Sequence, residues 1–178
     1  MAHIKKKRGG VQMRLEPAEA ALVRGLLGQL LEMLGDPPET GEGLAALGIA
    51  EDAALSDDPV IARLFPDAYR DDGEAAGEFR RYTELGLRDG KREAADVVLA
   101  TLGDDEAARV DALLDEGQAR AWLKALNDLR LALGTRLDIG EDWYEQVGAL
   151  DRDDPRLPMF AAYDWLTAVQ EDLVHAVW

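Results

Sequence analysis

The chain has 178 residues, with 20 lysines and arginines against 36 aspartates and glutamates, a formal net charge of −16 and no cysteine. The missing thiols exclude disulfides, thiolate metal sites, cysteine nucleophiles and thiol switches within these residues. No apolar run reaches the ~18 residues of a membrane span, and the start MAHIKKKRGG lacks the apolar stretch of a secretory signal, so a soluble cytoplasmic protein is expected.

The charge is asymmetric. Residues 1–14 hold Lys5, Lys6, Lys7, Arg8 and Arg14 and no acid, so with −16 overall the rest of the chain carries −21. A body this acidic repels phosphate backbones and favours basic protein surfaces. Residues 1–10 read as a basic, flexible arm ahead of a domain over 11–178. Direct DNA binding is disfavoured, and if it occurs the arm is its best local source of positive charge.

VQMRL (11–15) alternates enough for a short strand. Glu16-Pro17 then opens a helix, with Glu19 placed to reach back to its start. Leu22, Leu26, Leu30 and Met33 form one stripe, widened by Val23, Leu27 and Leu34, and Gly35 with Pro37-Pro38 stops the helix. Residues 25–62 contain no basic side chain and eight acids. An acidic loop over 36–58 is expected, around a short helical patch at Leu44–Ile49. Gly41, Gly43 and Gly48 do not make a phosphate loop, because the spacing is wrong and acids flank them.

Asp58-Pro59 starts a short helix to Leu64, and a longer helical region runs from about Gly73 to Leu102, with candidate breaks at Thr83 or Asp89-Gly90. Along it Arg81, Arg88 and Arg92 share a side; they either salt-bridge to Glu78, Glu84 and Asp89 or offer a stripe to an acidic partner. The second half then repeats the first: residues 110–134 match 11–35, Asp115-x-x-Gln118 answers Glu16-x-x-Glu19, and Gly134 answers Gly35. The two apolar starts, near 11–15 and 109–114, are expected to pair as a small two-stranded sheet with their helices packed on one side. A second acidic loop at 138–156 encloses an amphipathic turn at Trp143-Tyr144. Asp154-Pro155 opens the last helix, whose apolar face is Met159, Tyr163, Leu166, Leu173 and Val177, joined by Trp165 and Val169.

Catalytic groups are scarce. His3 and His175 form no zinc motif, and Ser56 is followed by Asp57-Asp58 rather than a nucleophile elbow. Asp67, Asp71 and Asp72 near Arg70 suit turns and caps better than a cation. Trp122, Trp143, Trp165 and Trp178 lack interleaved basic residues and read as core or interface anchors. No enzyme activity, cofactor or metal is expected. Arg120, Lys124 and Asn127 project to a similar side of one helix, and Asn127, Asp128 and Arg130 sit within its apolar sequence. They read as a polar network tying this helix to the last one, or as a recognition face. The fold expected is mainly α, a single domain of five to seven helices.

Four segments carry a family likeness: the basic start running into GGVQMRL, the LFPDAYRDD block (64–72), ALNDLRLALGTRL (125–137) and the closing YDWLTAVQEDLV (163–174). Together they resemble the actinobacterial family known as domain of unknown function 2017, over nearly the whole chain. The resemblance implies a regulator of transcription under oxidative stress, of the AosR type, working by contact with a sigma factor or RNA polymerase. The family's gene neighbourhood beside the ClpS adaptor implies an alternative, an accessory role in adaptor-dependent proteolysis. A cysteine-free chain departs from thiol-based redox sensing.

Overall fold

The structure is a computed structural model that describes residues 2–36, 57–66 and 73–178, without the side chains of residues 73, 76 and 81. Along these residues run β1 (His3–Lys7), β2 (Gly10–Leu15), α1 (Pro17–Leu34), α2 (Pro59–Leu64) and α3 (Gly73–Leu102). They are followed by β3 (Val110–Leu114), α4 (Glu116–Arg136), α5 (Trp143–Gly148) and α6 (Leu157–Val177). The protein is mainly α, with six helices among the described residues and one small antiparallel sheet. The patch Leu44–Ile49, the glycines 41, 43 and 48, and Asp67, Arg70, Asp71 and Asp72 lie outside the described residues.

β2 buries Val11, Met13 and Leu15, because successive side chains of a strand face opposite ways and only one face meets the helices. It pairs with β3 so that Val11 lies opposite Leu114 and Leu15 opposite Val110. Each strand leads into a helix through a capping box. Glu16 N–H donates to Glu19 at 2.9 Å, while Asp115 N–H donates to Gln118 at 3.0 Å and Gln118 N–H returns the bond at 2.8 Å. The two strands are thus related by a local two-fold about the Met13–Ala112 pair, and the helices that follow them, α1 and α4, touch.

The sheet has a third strand that the sequence reading does not contain. Residues 3–7, expected within a flexible basic arm, form β1, antiparallel to β2 from His3 opposite Arg14 to Lys7 opposite Gly10. Arg8 and Gly9 make the turn, with Gly9 at φ +97°, a conformation that glycine tolerates. Gly10 is fixed by a different constraint: a Cβ there would stand 2.1 Å from the Leu114 carbonyl oxygen. Lysine at three of its five positions hides β1 from a reading based on apolar alternation. The same lysines suit an exposed edge, where charge discourages pairing with another chain.

Helix phases also differ from the expected stripes. α1 buries Val23, Leu27, Leu30 and Leu34, leaving Leu22, Leu26 and Met33 at the margin of the core. α6 begins at Leu157 rather than at Pro155, and buries Phe160, Leu166, Val169 and Leu173, with Met159 41% exposed. In both helices the apolar sequence is wider than the face that neighbours cover, so only packing selects the buried line. α3 is continuous through Thr83 and Gly90 over 30 residues, and packs along α4. Trp122 of α4 is 1% exposed and donates its indole N–H to Thr101 Oγ1 at 2.8 Å. Trp143 of α5 stacks on Phe160 at 6.1 Å and meets the Tyr163 ring edge-on at 5.6 Å, anchoring α5 to α6.

Candidate interaction surface

Arg88 and Arg92 of α3 face the end of a neighbouring helix. The last carbonyls of any helix have no partner within it. At the end of α1, Arg88 donates to Leu34 O at 2.9 Å, and Arg92 donates to the carbonyls of Leu34, Gly35 and Asp36 at 3.0, 2.9 and 3.1 Å. Both also make the local pairs open to them, Arg88 with Glu84 and Arg92 with Asp89, each at 2.7 Å. The arrangement is reciprocal. Arg24 of α1 donates to Leu102 O and Gly103 O at 2.8 Å, closing the end of α3. The two helices therefore run antiparallel, each supplying cations to the other's negative end. The side chain of Arg81 lies outside the described residues.

α4 divides its polar residues between two neighbours. Arg130 donates to Thr167 Oγ1 at 3.0 Å and Gln170 Oε1 at 2.8 Å, and lies over the Tyr163 ring at 5.6 Å, joining α4 to α6. Asp128, 4% exposed, turns the other way and accepts from Lys91 Nζ of α3 at 2.6 Å. The aspartate is conspicuous in an apolar helix; its partner is not, because Lys91 lies 37 residues away among many charges. Asn127 and Lys124 are exposed, and Arg120 pairs with Glu116 one turn back on the surface.

A further group of cations lies on the sheet. Residues opposite one another in an antiparallel pair share a face, so His3, Arg14 and Asp111 form one row and Lys5, Gln12 and Leu113 the next. No helix among the described residues covers this face: Lys5, Lys7, Arg14, Asp111 and Leu113 are exposed. Asp111 is matched locally. It accepts from Gln12 Nε2 at 2.8 Å and Arg14 Nε at 3.0 Å, and the Gln12 amide followed by the Arg14 guanidinium holds its carboxyl below the usual range. Arg109 pairs with Glu16 at 3.0 Å. Lys5 and Lys7 on this face, Arg8 in the turn, and Lys6, which lies opposite Val11 at the other side of the edge strand, are all exposed, with no ion pair among the described residues. Lys6 and Lys7 also border a hollow of about 350 Å³ between the β1–β2 turn and the end of α6.

A second surface feature is apolar. Leu26 and Met33 of α1, Leu129 and Leu133 of α4, and Met159 of α6 line a groove of about 420 Å³ with Arg136 at its rim. Among the described residues there is no cluster of three or more His, Cys, Asp or Glu side chains suited to a metal ion. No helix among them is long and apolar enough to cross a membrane.

These features define a mainly α protein that carries a basic sheet face on an acidic body. The chain belongs to the family described as "Domain of unknown function (DUF2017)", which matches residues 1–177. It is similar to the "Oxidative stress regulator AosR" of Mycobacterium bovis, with 36% identity over 187 residues covering 94% of this chain and 83% of the relative. The protein of the same name from Mycobacterium tuberculosis H37Rv matches with the same identity and coverage. Kinship with regulators so named supports a regulatory role for this chain. No solved structure matches it.

Proposed function

We propose that this protein is a non-catalytic regulator of an oxidative-stress response in transcription, and that it acts by docking its basic sheet face against an acidic surface of a sigma factor or RNA polymerase. One observation carries the reading: four cations without an ion pair among the described residues, Lys5–Arg8, sit on an edge strand and its turn, while the rest of the chain carries −20. Such segregation steers encounter with an acidic protein patch and disfavours duplex DNA, whose phosphates the body repels. Fixing the lysines on β1 also removes the entropy cost that a loose arm pays on binding.

The test is capture of sigma factor, RNA polymerase and the Clp adaptor by the full chain and by a Lys5→Glu, Lys7→Glu, Arg8→Glu variant. Capture of a transcription component by the full chain, weakened about tenfold or more by the variant, is expected. Capture of the Clp adaptor alone supports the proteolysis reading instead. Submicromolar binding to duplex DNA at ~150 mM salt, lost in the variant, replaces protein docking with phosphate contact.

A further inference from the structure

A cysteine-free relative of oxidative-stress regulators has one other sulfur chemistry available, the thioether. The chain has four methionines, and the fold treats three of them very differently; Met1 lies outside the described residues. Met13 is 1% exposed in the sheet core. Met33, in the last turn of α1, is half-buried, and Met159, in the first turn of α6, is 41% exposed. Those two line the same groove, facing Leu26, Leu129 and Leu133. We propose that Met33 and Met159 are a paired peroxide-oxidisable site, and that their conversion to sulfoxides loosens the junction of α1, α4 and α6. The inference rests on the oxidative-stress reading above for its purpose, but not for its test.

Each reaction is self-contained. A thioether sulfur donates a lone pair to one oxygen of hydrogen peroxide, the O–O bond breaks, an S–O bond forms and water leaves. Sulfur is oxidised by two electrons and the peroxide is reduced, so no further reductant or oxidant is required. The groove is open to water, which admits the peroxide, and its lining is mostly apolar, which makes the product costly. A flexible apolar side chain becomes a polar, chiral one among leucines. Both sulfurs also stand at helix ends, where local opening is cheapest. Met33 precedes Leu34, the carbonyl that Arg88 and Arg92 hold, and the Met159 N–H donates to Arg156 O at 2.9 Å in the turn that starts α6. Arg136 on the same rim pairs with Asp58, the N-cap of α2, at 2.9 Å. A sulfoxide oxygen in the groove is an acceptor that competes for that guanidinium. The sulfoxides are returned to thioethers by methionine sulfoxide reductases, one enzyme for each epimer.

The experiment exposes the full chain to graded hydrogen peroxide and follows each methionine by peptide mass spectrometry, with amide hydrogen exchange on the same samples. Met33 and Met159 are expected to gain one oxygen each at least about tenfold faster than Met13, which reacts only from opened states. Exchange in the last turn of α1 and the first turn of α6 is expected to accelerate about fivefold, the factor given by one kcal/mol of loosening, and to recover after treatment with both reductases. Met33→Leu with Met159→Leu conserves volume and keeps the fold; its exchange should ignore peroxide, and the single Met159→Leu variant should show part of the effect. Oxidation of Met13 at a similar rate, unchanged exchange after full conversion of Met33 and Met159, or an undiminished response in the leucine variants would each overturn the proposal. No partner protein enters this measurement, so a failed capture experiment leaves it standing, and its own failure leaves the docking face intact.

Discussion

Lys91 Nζ lies 2.6 Å from Asp128 Oδ1, with the lysine side chain 18% exposed and the aspartate 6%, and this contact joins the two longest-packed helices, α3 and α4. The ammonium also lies 5.5 Å from the centre of the Phe65 ring. Paired charges in such a place add little over a well-packed apolar pair, whereas one left alone is expensive. Asp128→Ala is therefore expected to cost about 2–4 kcal/mol, and Lys91→Met with Asp128→Leu markedly less than that single change. Urea unfolding of both variants checks this. A double variant as unstable as Asp128→Ala would show that the pair itself, rather than the orphaned ammonium, is what matters.

The reciprocal caps of α1 and α3 are unequal. Arg92 reaches three carbonyls, whereas Arg24 reaches two and keeps a buried Nη1 without a partner. Hydrogen bonds from a charged donor are worth about 1.5–3 kcal/mol, and an orphaned buried donor offsets part of that gain. Arg92→Ala should thus lower the unfolding free energy by about 2 kcal/mol and Arg24→Ala by about 1 kcal/mol. Arg92→Lys should recover less than half of the loss, since a point ammonium cannot span the three carbonyls. Denaturant midpoints in the opposite order would refute this ranking.

Acid should act through Glu19. Burial raises its pKa, but hydrogen bonds, first from the Glu16 N–H and then from the Trp165 indole N–H at 3.0 Å, are among the causes that oppose burial, and the carboxyl lies below the ordinary range. A group whose folded-state pKa is depressed contributes stability above its unfolded value, and that contribution disappears as pH falls through the lower folded value. Stability should consequently decline as pH drops below about 4.5. Glu19→Gln, which cannot lose a charge, should begin less stable and show a flatter decline. Thermal unfolding across pH 2 to 6, with tryptophan fluorescence as the probe, measures the two slopes; equal slopes would remove Glu19 from the account.

Two adjacent glycines should respond differently to alanine. At Gly10 the added Cβ meets the Leu114 carbonyl oxygen at 2.1 Å, which forces β2 and the end of β3 apart; at Gly9 nothing lies within 4 Å. Gly10→Ala is expected to cost at least about 3 kcal/mol, the upper range for overpacking. Gly9→Ala pays only the strain of φ +97°, about 1–2 kcal/mol. Melting temperatures of the two variants decide it, and a Gly10→Ala protein as stable as Gly9→Ala would contradict the close approach.

Local order in the sequence was enough to read most of the helices and two of the three strands of the sheet. The Glu16–Glu19 and Asp115–Gln118 boxes, the Asp58-Pro59 start of α2 and the stop at Gly35 all follow from groups within four residues of one another, so their chemistry is legible without a fold. The pairing of residues near 11–15 with those near 109–114 also followed, because two alternating segments ahead of similar helices have few other ways to bury their apolar faces. Tertiary structure alone decided the rest. It turned the lysine-rich start into β1, moved the buried line of α1 from Leu22, Leu26 and Met33 to Val23, Leu27 and Leu34, and aimed Arg88 and Arg92 at carbonyls 54 to 58 residues away. These outcomes depend on which surface arrives opposite a side chain. A lysine carries the same local propensity on an edge strand as in a tail, and an arginine the same in a cap as on a surface; only the partner brought from a distance distinguishes them.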